Sequence, residues 1–330
     1  MSLEFNNTDL HSPLSKQFLD GVLNNQGWFE AKEDIKLPFA DITSYEWYFD
    51  GIRIGHSNWL FKNSSPVNYQ LDVKNEVVTL FFNLKGKTKT SHVGENGKET
   101  FELGNYQHNL FYSPGSSGSF KSEELRLTTF MIQFSLAAFL KLTQDANEVL
   151  KRFADNVLKK KPIALSTSNL YLNGEMHNAI NAIINCKYQD GLKRMFFYSK
   201  SIELLVMQAE AYNVMQKPTP SFIKTNYDRE KILYAREYLM ENMDAPPSLS
   251  ELSRICGINE YKLKKGFKEV FGNTVFGYLS DLRLDSARND LLEKKSSASD
   301  VALTLGYSSL QHFSVAFKKK FGVPPSRLKN

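Results

Sequence analysis

Two short stretches near the end of the chain place cations, hydrogen-bonding groups and apolar residues at the spacing of a helix that could read a nucleic-acid duplex. In the first, Leu263 and Phe267 mark a buried side, and Tyr261, Lys262, Lys264, Lys265 and Lys268 stand around the remainder. In the second, Phe313 and Phe317 mark the buried side. Gln311, His312, Ser314 and Val315 come early on the outward side, and Lys318, Lys319 and Lys320 follow. Early polar or apolar groups suit base edges, and later cations suit phosphates. A lysine run by itself more often marks a solvated helix face, so the argument depends on the elements that hold these stretches.

Other chemistry finds less support. A metal-dependent barrel enzyme needs closely spaced His-x-His, a Glu shortly after and a later His. Here His56, His92 and His108 are scattered, and no His follows soon after Pro114-Gly115. Cys186 lies in a stretch with helical periodicity and has no nucleophile's setting. No catalytic residues, metal ligands or cofactors are expected, and an enzyme fused to a DNA-binding module is the rival reading.

The elements around the two stretches repeat. Leu249, Leu252 and Ile255 lead to Gly257, and Val301 and Leu305 lead to Gly306, with the glycines 49 positions apart (257 to 306). The Phe-x-x-x-Phe-Gly endings lie 50 apart (Gly272 to Gly322). Two copies are too few for a solenoid, which needs about three or more. Each copy reads instead as two short helices across a tight turn. Ser253 and Ala302, four residues before each glycine, are small enough for close helix crossing. The glycines end the first helix in the left-handed conformation, and Asn259 and Ser308 or Ser309 cap the second.

From Asp228 to Asn330 the chain resembles the DNA-binding domain of AraC-type bacterial transcription regulators. The resemblance rests on Ser248-Leu-Ser-Glu-Leu-Ser253, Leu282-Arg-Leu-Asp-Ser-Ala-Arg288, Val301-Ala302-Leu-Thr-Leu-Gly306-Tyr307-Ser308, His312-Phe313-Ser314 and Phe317-Lys-Lys-Lys-Phe321-Gly322-Val-Pro-Pro325. It implies two helix-turn-helix units joined by a helix of about Val275 to Leu292, reading successive major grooves on one side of the duplex. By position it carries base reading to Tyr261, Lys264 and Lys265, and to Gln311, Ser314 and Val315. Val315 departs from the polar or basic reader that many relatives carry, so a thymine-methyl contact is its expected role.

A chain of 330 residues suggests about two domains. The net charge of +5 is too small to establish nucleic-acid binding alone, although 17 basic against 13 acidic residues lie from Asp228 onward. Two cysteines without a C-x-x-C pair fit a reduced, cytoplasmic protein, and residues 1–25 are too polar for a signal peptide. No apolar run approaches membrane-spanning length, so no membrane partner is expected.

Between about Asp41 and Phe134, β-branched and aromatic residues alternate in short runs. Asp50-Gly51, Lys85-Gly86, Asn96-Gly97 and Pro114-Gly115 punctuate them. That pattern argues for an antiparallel sandwich or barrel, and the resemblance implies a cupin-like barrel that binds a small effector. Helical periodicity follows over Leu136 to about Lys160, Met176 to Ile184 and Leu192 to Tyr212. The last carries Met195, Phe196, Tyr198, Ile202, Leu205, Val206 and Ala209 as a stripe that must bury, in the core or as a homodimer seam.

Asn185-Cys-Lys-Tyr-Gln-Asp-Gly-Leu-Lys-Arg194 with Lys200-Ser-Ile-Glu203-Leu-Leu resembles the subgroup of AraC-type regulators that respond to ferric siderophores, the pyochelin and alcaligin regulators among them. It identifies a kind of helical linkage, not a pocket. Lys217-Pro218-Thr-Pro220-Ser reads as a linker.

The expectation is an α+β chain. Residues 1–135 form a cupin-like sensor, 136–215 a helical linking or dimerisation segment, 216–227 a linker, and 228–330 a domain with two helix-turn-helix units. Its function would be effector-controlled binding of double-stranded promoter DNA, with RNA polymerase a further partner if the output is activation.

Overall fold

Val78, Leu80 and Phe82 are wholly buried, while Val77, Thr79 and Phe81 beside them are half-buried, which is the period-2 signature of a strand with one face on a core. A computed structural model of the chain describes residues 3–6, 27–63, 67–71, 76–94, 97–112, 114, 116–216, 222–223, 225–292, 297–307 and 309–329. The chain divides into two units, residues 1–172 with 176–219, and residues 173–175 with 220–330.

The first unit carries two sheets. The larger has eight strands. Seven run in the order β12 (Ile163–Ala164), β9 (Gln107–Tyr112), β6 (Val77–Lys85), β11 (Arg126–Ser135), β4 (Ile52–Phe61), β3 (Ala40–Phe49) and β2 (Phe29–Lys36), and β13 (Leu170–Tyr171) also pairs with β9. All its pairings are antiparallel. The smaller sheet has the order β1 (Leu3–Asn6), β5 (Val67–Leu71), β10 (Ser116–Ser122), β7 (Thr88–Gly94) and β8 (Gly97–Leu103). Among the described residues, only its β1–β5 pair is parallel.

Two of the expected turns show why their residues stand there. Phe49 pairs with Ile52 across Asp50 and Gly51, both at positive φ (49° and 73°), as a tight two-residue hairpin requires. Gly86 sits at φ 88°, and a Cβ there would come 2.6 Å from the Arg126 carbonyl oxygen. Asn96 of the Asn96-Gly97 turn and Gly115 of Pro114-Gly115 lie outside the described residues.

The antiparallel sheets and helices are as expected, but the cupin-like barrel is not closed among the described residues. Closure requires the edge strands of a sheet to find partners. The outer edge of β9 is occupied by β12 and β13, each only two residues long, and the sheet ends at β2 on the other side.

The stretch from Leu136 to Lys160 is two helices, α1 (Leu136–Thr143) and α2 (Glu148–Leu158), because Asn147 accepts from the Leu150 N–H and starts a new helix. Next come α3 (Gly174–Ile184) and α4 (Asp190–Met215). The stripe expected on α4 is only partly buried. Leu205 and Ala209 are buried along with Phe197, Ser201, Leu204 and Gln208, but Met195, Tyr198 and Val206 are exposed. Six of the seven positions fall within about 100° of helical arc, but the buried side is centred on Phe197, Ser201, Leu204 and Gln208, so the stripe meets it at Leu205 and Ala209.

The siderophore-regulator-like motif works here as a clamp on the sheet. Arg194 Nε donates to Asp50 of the β3–β4 turn at 2.8 Å, and Lys193 pairs with Glu30 of β2. Lys200 pairs with Glu203 along the helix at 2.5 Å.

The second unit is helical: α5 (Asn226–Glu241), α6 (Leu249–Cys256), α7 (Glu260–Phe271), α8 (Val275–Leu292), α9 (Ala298–Thr304) and α10 (Leu310–Phe321), with a final 3₁₀ turn at Pro325–Lys329. The connecting helix α8 has the expected limits. Its Leu284, Ala287 and Leu291 share one core with Val301, Ala302, Leu305, Phe313 and Phe317. The linker positions Lys217 to Ser221 lie outside the described residues.

Candidate nucleic-acid interface

The two turns are built alike, hydrogen bond for hydrogen bond. The Gly257 N–H donates to the Arg254 carbonyl (3.1 Å) and the Ile258 N–H to the Ser253 carbonyl (3.0 Å). In the second copy the Gly306 N–H donates to Leu303 (2.9 Å) and the Tyr307 N–H to Ala302 (3.0 Å). Both glycines are left-handed, at φ 65° and 72°. Such bonds satisfy carbonyls that the end of a helix leaves without partners. Ser253 and Ala302 are buried, as the close crossing demands.

Each first helix also begins on a reciprocal cap. The Ser248 hydroxyl accepts from the Glu251 N–H while Glu251 accepts from the Ser248 N–H, and Ser297 with Asp300 repeats this arrangement. Asn259 caps α7 by accepting from the Lys262 N–H (2.8 Å). Ser309 caps α10 by accepting from the His312 N–H (3.2 Å), and Ser308, the other candidate cap, lies outside the described residues. The repeat offset therefore changes from 49 to 50 inside the turn, between Tyr307 and Ser309.

One core position differs from the sequence reading. Ile255 is 40% exposed, and Cys256 is wholly buried in its place, at the position equivalent to Leu305. Burial pushes the Cys256 thiol up to about 11, so it stays protonated and packs as a small apolar group.

The outward faces can then be read residue by residue. On α7, Leu263, Phe267 and Phe271 are buried, with the two phenylalanine rings 4.6 Å apart. Tyr261 (62%), Lys264, Lys265 and Lys268 are exposed. Lys262 is half-buried, and its ammonium lies 3.0 Å from both carboxylate oxygens of Asp228 on α5, so its charge is already matched within the fold. Lys264 lies 3.7 Å from Glu260 in an exposed pair, which constrains it little.

On α10, Phe313 and Phe317 are buried and Phe317 packs on Phe321 at 4.5 Å. Gln311, His312, Val315 (64%), Lys318 and Lys319 are exposed and Ser314 half-buried. Lys320 turns back to Asp281 of α8. Both helices thus present their candidate readers on one side and seat their phenylalanine ladders on the other.

The sequence reading did not include Phe222, which lies against Tyr261 and Lys265. An aromatic residue three positions before Thr225, the N-cap of α5, was the only signal it offered.

Among the described residues of the first unit, His56 and His108 do not share a metal position. Tyr45, His56, Phe130, Phe82 and His108 occupy one cross-strand row of β3, β4, β11, β6 and β9. Three strand spacings, about 14 Å, separate His56 from His108, whereas metal ligands share one ion at about 2 Å. His92 belongs to the other sheet, on β7. Burial lowers the His108 ring to about 3, and burial also lowers His56, so both rings are neutral near pH 7. Among the described residues, no three His, Cys, Asp or Glu side chains converge on a metal position.

Comparison with known proteins agrees with both halves. Residues 46–223, more than half of the chain, match the family model described as the regulatory protein PchR N-terminal domain, and residues 252–330 match a helix-turn-helix domain model. PchR of Pseudomonas aeruginosa is 34% identical over 120 residues, which are 36% of this chain and 40% of that protein. The bifunctional transcriptional activator/DNA repair enzyme AdaA of Bacillus subtilis is 28% identical over 102 residues, 31% of this chain and 48% of that one. The matches thus span less than half the length of these curated relatives.

Among solved structures, an AraC-type transcriptional regulator from Chromobacterium violaceum is 26% identical with a TM-score of 0.30, covering 32% of this chain and 94% of that chain. An apo ToxT variant from Vibrio cholerae covers 89% of this chain and 98% of that chain at 15% identity and a TM-score of 0.34.

Proposed function

The chain belongs to the AraC-type regulators that carry a PchR N-terminal domain, and from that membership we propose that it is a sequence-specific regulator of transcription under the control of a small molecule. The observation that carries the DNA-binding part is the duplication itself. Two turns with the same hydrogen bonds each lead into a capped helix whose exposed side holds hydrogen-bonding, apolar and cationic groups. Tyr261, Lys264, Lys265 and Lys268 are the readers and grips of the first helix. Gln311, His312, Ser314, Val315 and Lys318 are those of the second. Lys262 joins the first set only if phosphate competes successfully with Asp228.

The sensing part rests on the first unit. Its match to the PchR N-terminal domain supports an effector there, and a ferric siderophore is the first class to test. The larger sheet, where Phe197 of α4 packs on Trp47 and Phe49, is the setting in which we place it. An effector acts by favouring the DNA-competent state, so it must bind that state more tightly than the other. The exposed Leu192, Met195 and Val206 of α4 suit a second copy of the chain, and we propose a homodimer formed there. RNA polymerase is a partner if the protein activates. No described helix is long and apolar enough to cross a membrane, and we place the protein in the cytoplasm.

Selection of bound sequences from a random duplex library, followed by titration at two salt concentrations, tests this reading. A two-part motif with half-sites one helical turn apart, and binding that weakens steeply with salt, is expected. Recovery of no sequence motif would refute it. Metal analysis of the purified protein tests the rival enzyme, since stoichiometric iron or zinc without added effector would favour it.

A further inference from the structure

Phe222 and Ile223, shortly before α5, touch the first reading helix at four places. The Phe222 ring meets the Tyr261 ring edge-on, with centroids 6.1 Å apart at 75°. The Lys265 ammonium lies 5.6 Å from the centroid of the same ring. The Phe222 N–H donates to Glu269 Oε2 at 2.8 Å. Ile223 is buried, and a Cβ on Gly266 would come within 3.1 Å and 3.2 Å of its side-chain carbons, so this helix carries glycine where Ile223 is seated.

Positions 261, 265, 266 and 269 line one side of α7. Two of them are the candidate base readers Tyr261 and Lys265. The second reading helix lacks the glycine: Ala316 takes the place of Gly266 and packs against its own unit's core.

We propose that Phe222 is a positioning residue for base reading by the first helix, acting by fixing where Tyr261 and Lys265 point. Both side chains are exposed on the rest of their surface, and a free lysine samples many rotamers that must be given up on binding. A cation held against an aromatic face by electrostatic attraction has part of that freedom already removed. Tyr261 is limited on the same side by ring contact. Phe222 itself is kept in place by the Glu269 bond and by Ile223 in the notch at Gly266. The proposal rests on the DNA-binding reading above.

The test uses the full chain and a duplex library whose two half-sites are scored separately, with Phe222→Ala, Phe222→Leu and Phe222→Trp beside the wild type. Phe222→Ala and Phe222→Leu should each reduce base preference in the first half-site by about two- to fivefold, the order that an exposed cation–π contact carries. The second half-site should not change, and Phe222→Trp should keep the wild-type motif. Leucine retains the apolar bulk without the aromatic face, so it decides the matter if the alanine variant folds poorly.

Unchanged preference in both Ala and Leu variants overturns the positioning role while leaving DNA reading intact. Equal weakening at both half-sites overturns it too, because a purely structural contribution would act that way. A wild type that selects no motif overturns both readings at once.

Discussion

The two helix-turn-helix units share a backbone plan but differ in how their second helices spend their charges. In the first, lysines occupy the middle of the helix at 262, 264, 265 and 268. One is neutralised by Asp228, and another lies over Phe222. In the second, the early outward positions are uncharged or weakly basic, and cations wait for the last turn at 318, 319 and 320. Cations in the last turn also suit the negative end of the helix dipole. The difference teaches that the turn and the phenylalanine ladder specify a scaffold shared by both copies, while the outward residues differ between them and, on the proposed function, would divide reading and gripping.

The largest effect should appear where the copies agree. Phe267 and Phe317 are both fully buried at equivalent places in their ladders. Phe267→Ala and Phe317→Ala should each destabilise the helical unit by about 3–5 kcal/mol, measured by denaturant unfolding of the full chain. A cost far smaller in one copy would break the equivalence of the two cores.

A middle-sized effect should separate the copies. Lys264→Ala and Lys265→Ala should each cost about 1–3 kcal/mol of base discrimination if the lysine reads a base. If it holds a phosphate, all sequences should weaken alike and the salt slope should flatten by about one unit. Val315→Ala removes only methyl groups and should cost about 1 kcal/mol or less. The binding motif should therefore carry more information under the first helix, and an equal or richer second half-site would reverse the comparison.

The smallest effect concerns the caps. Ser248→Ala and Ser297→Ala should each cost about 1 kcal/mol, read as a shift in the unfolding midpoint. Hydrogen bonds from Ser248 hold the Glu251 carboxyl below its usual value. A lowered carboxylate contributes stability that is complete above the unfolded pKa and is lost as pH falls through the folded one. The contribution of the first cap should therefore fade in acid, below about pH 4.5. Constant Ser248→Ala cost across that range would show that the carboxylate adds nothing to this cap.

Much of the helical unit could be read before any coordinates, for local reasons. A left-handed turn selects glycine, an exposed helix start selects Ser or Asn, and a buried ladder repeats every four residues. Gly257, Gly306, Asn259 and the phenylalanines carry those demands in their own identities. The sheets of the first unit were visible as alternation, and the Asp50-Gly51 hairpin as a dipeptide. Barrel closure was not visible, because it depends on which distant strand reaches an edge, and β12 and β13 are too short to leave a pattern.

Residue types and spacing therefore determined that this chain contains paired helix-turn-helix units, where their helices begin and end, and which side chains are candidates to face a duplex. Tertiary structure alone decided that Asp228 takes the charge of Lys262, that Cys256 rather than Ile255 completes the first core, that Phe222 lies on α7, and that His56 and His108 stand too far apart to share an ion. Caps, turns and periodicity are set by neighbours within about one helical turn, whereas each of these four outcomes depends on residues brought together from separate elements by packing.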